Sequence, residues 1–115
     1  VYRYADVLLM YAEALNENGK TDQAFIHLNE VRARAGLAGY SGLSQAETRE
    51  KIYHERRVEL GMEGHRWFDL VRTGRAYDAL KAKGMKEYMT VFPVPLGQVQ
   101  LMNNPDIFPQ NPGYN

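Results

Sequence analysis

Two apolar runs with helical spacing, separated by a short glycine-containing turn, constrain this chain more than any other feature. In the first, Tyr4, Val7, Leu8, Tyr11, Ala12 and Leu15 recur at three- and four-residue intervals, the pattern of one face of an α-helix. Asp6, Glu13 and Glu17 fall on the other side of that helix. Asn18-Gly19 ends it, since both residues tolerate the left-handed conformation that closes a final turn. Thr21 or Asp22 is placed to cap a second helix with the stripe Ala24, Phe25, Leu28, Val31, Arg32 and Ala35, which Gly36 stops. A link this short makes the two helices an antiparallel pair. Ala12, Gly19, Ala24 and Leu28 also sit at offsets like those of a tetratricopeptide unit, in which small residues let two helices approach closely. Such a unit does not cover its own apolar face, so further helices are expected beside it.

Beyond the pair, Gly36, Gly39 and Gly42 mark a loop. Ser44-Gln45-Ala46-Glu47 follows as a capping box, opening a third helix through Ile52, Tyr53, Val58 and Leu60 to about Met62. Gly64 breaks the chain before a short helix from His65 to Thr73, and Gly74 ends that one ahead of a helical stretch from Arg75 to Lys83. Residues 91–115 then hold all five prolines and a single charged group, Asp106. Regular helix is largely excluded by that proline density, so Val91 to Pro95 is read as extended, Leu96 to Met102 as a short helical turn, and the remainder as an irregular strap lying on the helical body. The expected fold is therefore mainly α: tetratricopeptide-like antiparallel helix pairs over residues 1–90, followed by an extended, Pro-rich C-terminal tail over 91–115 with little strand.

At 115 residues, with 44% apolar and 24% charged side chains, the chain has the size and composition of one folded domain. Fourteen Lys plus Arg balance fourteen Asp plus Glu, so no net field draws in nucleic acid or an anionic membrane. Cysteine is absent, which removes disulfides and thiolate metal sites from this stretch.

Charge chemistry concentrates between Glu55 and Arg72. Glu55, Glu59 and Glu63 recur every fourth residue and repel one another on a helix unless cations intervene. Arg56 and Arg66, three residues from Glu59 and Glu63, are placed to do so. Arg66, Asp69 and Arg72 share one face of the next helix, and Trp67, Leu70 and Val71 the other. The reading is a structural ionic network of Arg56, Glu59, Glu63, Arg66, Asp69 and Arg72 across the Gly64 corner. A glycosidase needs two acids whose pKa values are pushed apart. Here each acid has an Arg within a helical turn, which lowers them together.

Other chemistries find no support. His54-Glu55 lacks the second His of a zinc-protease helix, because position 58 is Val. His27, His54 and His65 stand at no ligand interval, no Gly-rich phosphate loop precedes a helix, and no Ser lies in a nucleophile elbow. Neither a metal nor a cofactor is expected, and the catalytic set is empty. Among aromatics able to stack on a sugar ring, Trp67 reads as core and the loop residue Tyr40 as a weak ligand candidate, with Tyr77 and Tyr88 behind it.

Three stretches together resemble the SusD/RagB family of Bacteroidetes outer-membrane lipoproteins: Arg3 to Ala14 with Leu28 to Leu37; Glu55 to Arg72; and Phe92 to Pro95 with Gln110 to Tyr114. Their order and spacing cover almost the whole chain. The resemblance implies the C-terminal helical region of a longer SusD-like protein, whose secretion signal and lipid-bearing Cys lie upstream of Val1. It implies a cell-surface lipoprotein that binds glycans or other nutrients without catalysis and passes them to a TonB-dependent, SusC-like transporter. Glycan contacts in the family lie mostly upstream of this region, so no ligand residue is carried over. Gln110 to Tyr114 would anchor the tail. The alternative from the helix pair alone is a tetratricopeptide-like adaptor that binds peptides or proteins.

Overall fold

The computed structural model describes residues 2–114, which form two compact units divided between Arg66 and Trp67. The first holds three long helices: α1 Tyr4–Glu17, α2 Thr21–Arg34 and α3 Gln45–Glu59. The second contains most of the short helix α4 Arg66–Arg72, then α5 Ala76–Leu80 and α6 Leu96–Met102, with 3-10 turns at Lys81–Lys83 and Glu87–Thr90. No strand occurs among the described residues. The change in composition at residue 91 falls inside the second unit, well after the boundary between the two.

Side-chain contacts set the directions of the first three helices. Tyr11 of α1 stacks beside His27 of α2 with ring centroids 4.5 Å apart, and Asn16 receives the Thr21 hydroxyl at 3.0 Å, so α1 and α2 run antiparallel. Asn16 meets Gln45, Glu17 meets Arg49 and Asp6 meets Arg56, which makes α3 antiparallel to α1 as well. Between α1 and α2 the chain closes with paired bonds from Lys20 N–H to Leu15 O (2.9 Å) and Gly19 N–H to Asn16 O (3.0 Å). Gly19 has φ +74°, where a Cβ would be strained, and this is the expected left-handed helix stop.

The core of this unit comprises Leu8, Leu9, Ala12 and Leu15 of α1, Ala24, Phe25, Leu28 and Val31 of α2, and Ile52 of α3. Side chains such as Leu9, Leu28 and Ile52 are fully out of water, each worth about 1.5–3 kcal/mol of transfer free energy. The α2 stripe matches its expected pattern from Ala24 to Val31. On α1 the expectation is corrected: Leu8, Ala12 and Leu15 are buried, but Tyr4, Val7 and Tyr11 are exposed, and Ala5, Leu9 and Asn16 take their places in the core. Asp6, on the side of the helix away from the expected stripe, is only 2% exposed. Spacing identified the helix but not the arc that packs, because α1 is apolar over most of its circumference.

Polar groups fix how the helices start. Ser44 caps α3 as a capping box: the Glu47 amide donates to the Ser44 hydroxyl and the Ser44 amide donates to the Glu47 carboxylate at 2.9 Å. The cap expected for α2 is corrected, since Thr21 lies inside the helix and donates its hydroxyl to the Asn16 side-chain oxygen instead. Asn16 also donates to Gln45 O at 2.9 Å, while the Gln45 amide donates back to Asn16 O at 2.6 Å. A completely buried amide thus ties the start of two helices to the end of a third, with its hydrogen-bonding capacity used.

In the second unit Leu70 and Ala76 are buried, Trp67 is half-buried with its ring 5.9 Å from that of Phe92, and Tyr88 meets Tyr114 edge-to-face at 5.0 Å. No helix among the described residues is long and apolar enough to cross a membrane.

Candidate functional site

The acids at the end of α3 and in the turn after it are held by guanidinium groups from Arg3, just ahead of α1, and from α2. Arg3, just before α1, donates to Glu63 through Nε (2.9 Å) and Nη2 (2.8 Å), and to Glu59 Oε1 through Nη1 at 3.1 Å. Its Nη2 also reaches the Glu59 carbonyl at 2.9 Å. Arg34 at the end of α2 closes on both Glu59 oxygens at 2.7 Å. Glu59 is thus gripped between two helices, its side chain 9% exposed while Arg34 remains 65% exposed. The Arg3 bonds hold the Glu63 carboxyl below the usual carboxylate range, an effect larger than the opposing cost of removing it from water.

Deeper in the unit, Arg32 donates to Glu55 Oε2 at 2.7 Å and to the Ala38 carbonyl at 2.7 Å. Arg56 donates to Asp6 Oδ1 at 2.8 Å with both side chains buried. At the opposite end of α3, Arg49 forks onto Glu17 at 2.6 Å through two nitrogens, pulling the Glu17 carboxyl below its ordinary range. Asp6, Glu17, Glu55, Glu59 and Glu63 each face at least one guanidinium, the reverse of an arrangement that would raise one carboxyl for proton donation.

The sequence-predicted residues are therefore placed as follows. Arg56, Glu59 and Glu63 belong to this set, Arg66 heads α4, and Asp69 accepts from Arg72 Nε at 2.9 Å within α4. Arg3, Arg32, Arg34 and Asp6 complete the set, and spacing does not single them out as its members because their partners lie 23 to 60 residues away. The one available signal was the excess of Arg at the ends of the two apolar stripes, at Arg3, Arg32 and Arg34.

Tyr40 is half-buried and packs against the core. Its backbone is pinned by Asn29, which accepts from Tyr40 N–H at 2.7 Å and donates to Tyr40 O at 2.8 Å. The Arg32 guanidinium lies 4.0 Å from the centre of its ring and the Lys51 ammonium 5.2 Å away. The Arg32 guanidinium therefore stacks on the Tyr40 ring as a cation–π partner.

In the second unit the tail reads the backbone of the segment before α6. Gln110 accepts from Val94 N–H at 2.7 Å and donates to Val94 O at 2.9 Å, so one side-chain amide replaces a strand partner. Asn111 donates to Phe92 O at 2.7 Å and the Tyr114 hydroxyl to Val91 O at 2.9 Å. Gly113, at φ +88°, lies flat against the Tyr88 ring, where no Cβ fits. Among the described residues no three His, Asp or Glu side chains stand together as metal ligands would.

One cleft of about 540 Å³ opens in the first unit between α1 and α2, lined by Arg3, Tyr4, Ala5, Leu8, Glu30, Val31 and Arg34. Tyr4 hydrogen-bonds Glu30 across its mouth, and the carboxylate raises the phenol's pKa.

The comparisons with known proteins converge. The model of the SusD family matches residues 1–114. SusD-like protein P2 of Formosa agariphila is 35% identical over 130 aligned positions, covering 97% of this chain and 25% of that protein. A SusD-like protein of Bacteroides ovatus is 40% identical over 74 residues, 62% of this chain and 13% of that protein. Among solved structures, a laminarin binding SusD-like protein aligns with a TM-score of 0.77 at 42% identity, over 99% of this chain and 23% of its own. A SusD superfamily protein from Bacteroides vulgatus aligns with a TM-score of 0.82 at 33% identity, over 98% of this chain and 27% of its own. The chain spans about a quarter of the length of the first curated relatives it matches, 25% and 22%. With the family model matched from end to end and the helical fold shared at this identity, the chain belongs to the SusD family.

Proposed function

We propose that residues 1–115 form the C-terminal helical region of a non-catalytic glycan-binding lipoprotein on the bacterial outer-membrane surface. Its cargo, oligosaccharides or other large nutrients, passes to a SusC-like TonB-dependent transporter. Family membership supports the reading, and so does the solved relative described as laminarin binding. Within the chain, the observation that carries it is the pairing of Glu55, Glu59 and Glu63 with Arg32, Arg3 and Arg34. Acids held that way serve as struts between helices, and the six residues Arg56, Glu59, Glu63, Arg66, Asp69 and Arg72 act as scaffold. Tyr40 serves the same scaffold, stacked under Arg32. Ligand contacts then belong to the three quarters of the relatives' length that this chain does not span.

A glycan panel offered to the intact protein tests the reading. The expected result is saturable binding of a defined oligosaccharide class with no release of new reducing ends. Turnover of the bound glycan, or failure to bind any glycan while capturing apolar peptides, would favour the tetratricopeptide-like adaptor or an enzyme instead.

A further inference from the structure

The turn that ends α1 is built from a chemically fragile pair of residues. Asn18 follows the last helical residue with φ −86° and ψ 14°, and Gly19 takes φ +74°. A left-handed helix stop favours Gly, and Asn is among the few other types suited to a helix end. Asn is also thermolabile, because the next backbone nitrogen can attack its side-chain carbonyl carbon. Gly in the next position leaves that approach least hindered, since it presents no Cβ. Both residues are exposed, and no atom beyond its chain neighbours lies within 4 Å of where a Cβ on Gly19 would stand.

Three contacts hold the reacting groups apart. Asn18 donates its side-chain amide to Ala14 O at 2.7 Å, Gly19 N–H donates to Asn16 O at 3.0 Å, and Lys20 N–H donates to Leu15 O at 2.9 Å. At ψ 14° the Gly19 nitrogen stands on the far side of the Asn18 Cα–C bond from Cβ, whereas a five-membered ring needs the two nearly eclipsed. Closure therefore requires Asn18 to swing about ψ, which breaks the bonds that Gly19 and Lys20 make to the helix end.

We infer that Asn18–Gly19 is a latent modification site, silent in the folded turn and converted by water once the last turn of α1 opens. The Gly19 nitrogen bonds to Asn18 Cγ, the Cγ–Nδ2 bond breaks, and ammonia leaves with the amide proton. Water then opens the succinimide at either carbonyl, giving an aspartyl or an isoaspartyl residue. A carboxylate has no proton to donate to Ala14 O, and it puts negative charge at the C-terminal end of a helix, beside Glu17. The isoaspartyl form also adds a backbone carbon to the turn that sets α1 against α2. Local opening thus becomes a one-way step, and the site records the chains that have opened.

Peptide mapping of the intact protein, held at mildly alkaline pH with and without urea, tests this through the fraction of Asn18 converted. Conversion should be more than about tenfold slower in the native protein than in urea, and should rise with temperature in step with hydrogen exchange at the Lys20 amide. Converted chains, separated by charge and returned from urea, should melt at a lower temperature than unconverted chains treated alike. A native rate within about tenfold of the unfolded one would overturn the inference. So would converted chains that refold with an unchanged melting temperature.

Discussion

Arg56 of α3 donates to Asp6 of α1 at 2.8 Å, fifty residues apart in sequence, with side chains 6% and 3% exposed. Such a pair gains little over well-packed apolar residues, yet breaking it strands a charge away from water. Arg56→Met should therefore lower the unfolding free energy of the intact protein by about 3–5 kcal/mol. Adding Asp6→Leu should restore most of that loss. Urea unfolding at neutral pH measures both, and a double variant no better than the single one would contradict the burial argument.

Arg49 and Glu17 give a pH dependence with a definite sign. Arg49 pulls the Glu17 carboxyl below its ordinary value, so the folded state favours the ionised form more than the unfolded state does. That contribution is fully present above the ordinary carboxylate pKa of about 4.3 and is lost as pH falls through the lower folded value. Arg49→Met should flatten the loss of melting temperature below about pH 4.5 while changing little at pH 7 to 8 in its slope. Thermal melts from pH 2.5 to 7 compare the two proteins, and parallel curves would count against the fork.

Gly113 tests the tail anchor. It combines φ +88° with contact against the Tyr88 ring, so Gly113→Ala pushes a methyl into the ring as well as straining the backbone. A cost of roughly 1–3 kcal/mol is expected locally. It should appear as faster amide exchange at Val94, whose N–H is held by Gln110, and at the neighbouring tail, with the α1 and α3 amides unaffected. Unchanged exchange at Val94 would show that the strap does not depend on Gly113.

Much of this was readable from residue order, for reasons that also explain what was not. The helix pair, the Ser44–Glu47 capping box and the Leu96–Met102 turn follow from short-range rules of period, cap and turn, and the structure shows each of them. The row of acids at Glu55, Glu59 and Glu63 was visible too, since four-residue spacing is local. Which cations answer that row was not. Arg3 and Arg34 reach Glu59 only because α1 and α2 fold back against the end of α3, and no spacing rule spans 56 residues. The burial of Asp6 is hidden for the same reason: hydropathy marks a carboxylate as polar and says nothing of a guanidinium arriving from another helix.

The most direct test is Glu59→Gln in the intact protein, read for stability and for glycan turnover side by side. Glu59 anchors both Arg3 and Arg34, so the variant should melt at a lower temperature, bind glycan as the parent does, and release no reducing ends, like the parent. A parent that cleaves the glycan, with cleavage abolished and melting unchanged in Glu59→Gln, would contradict the assignment of these acids as struts.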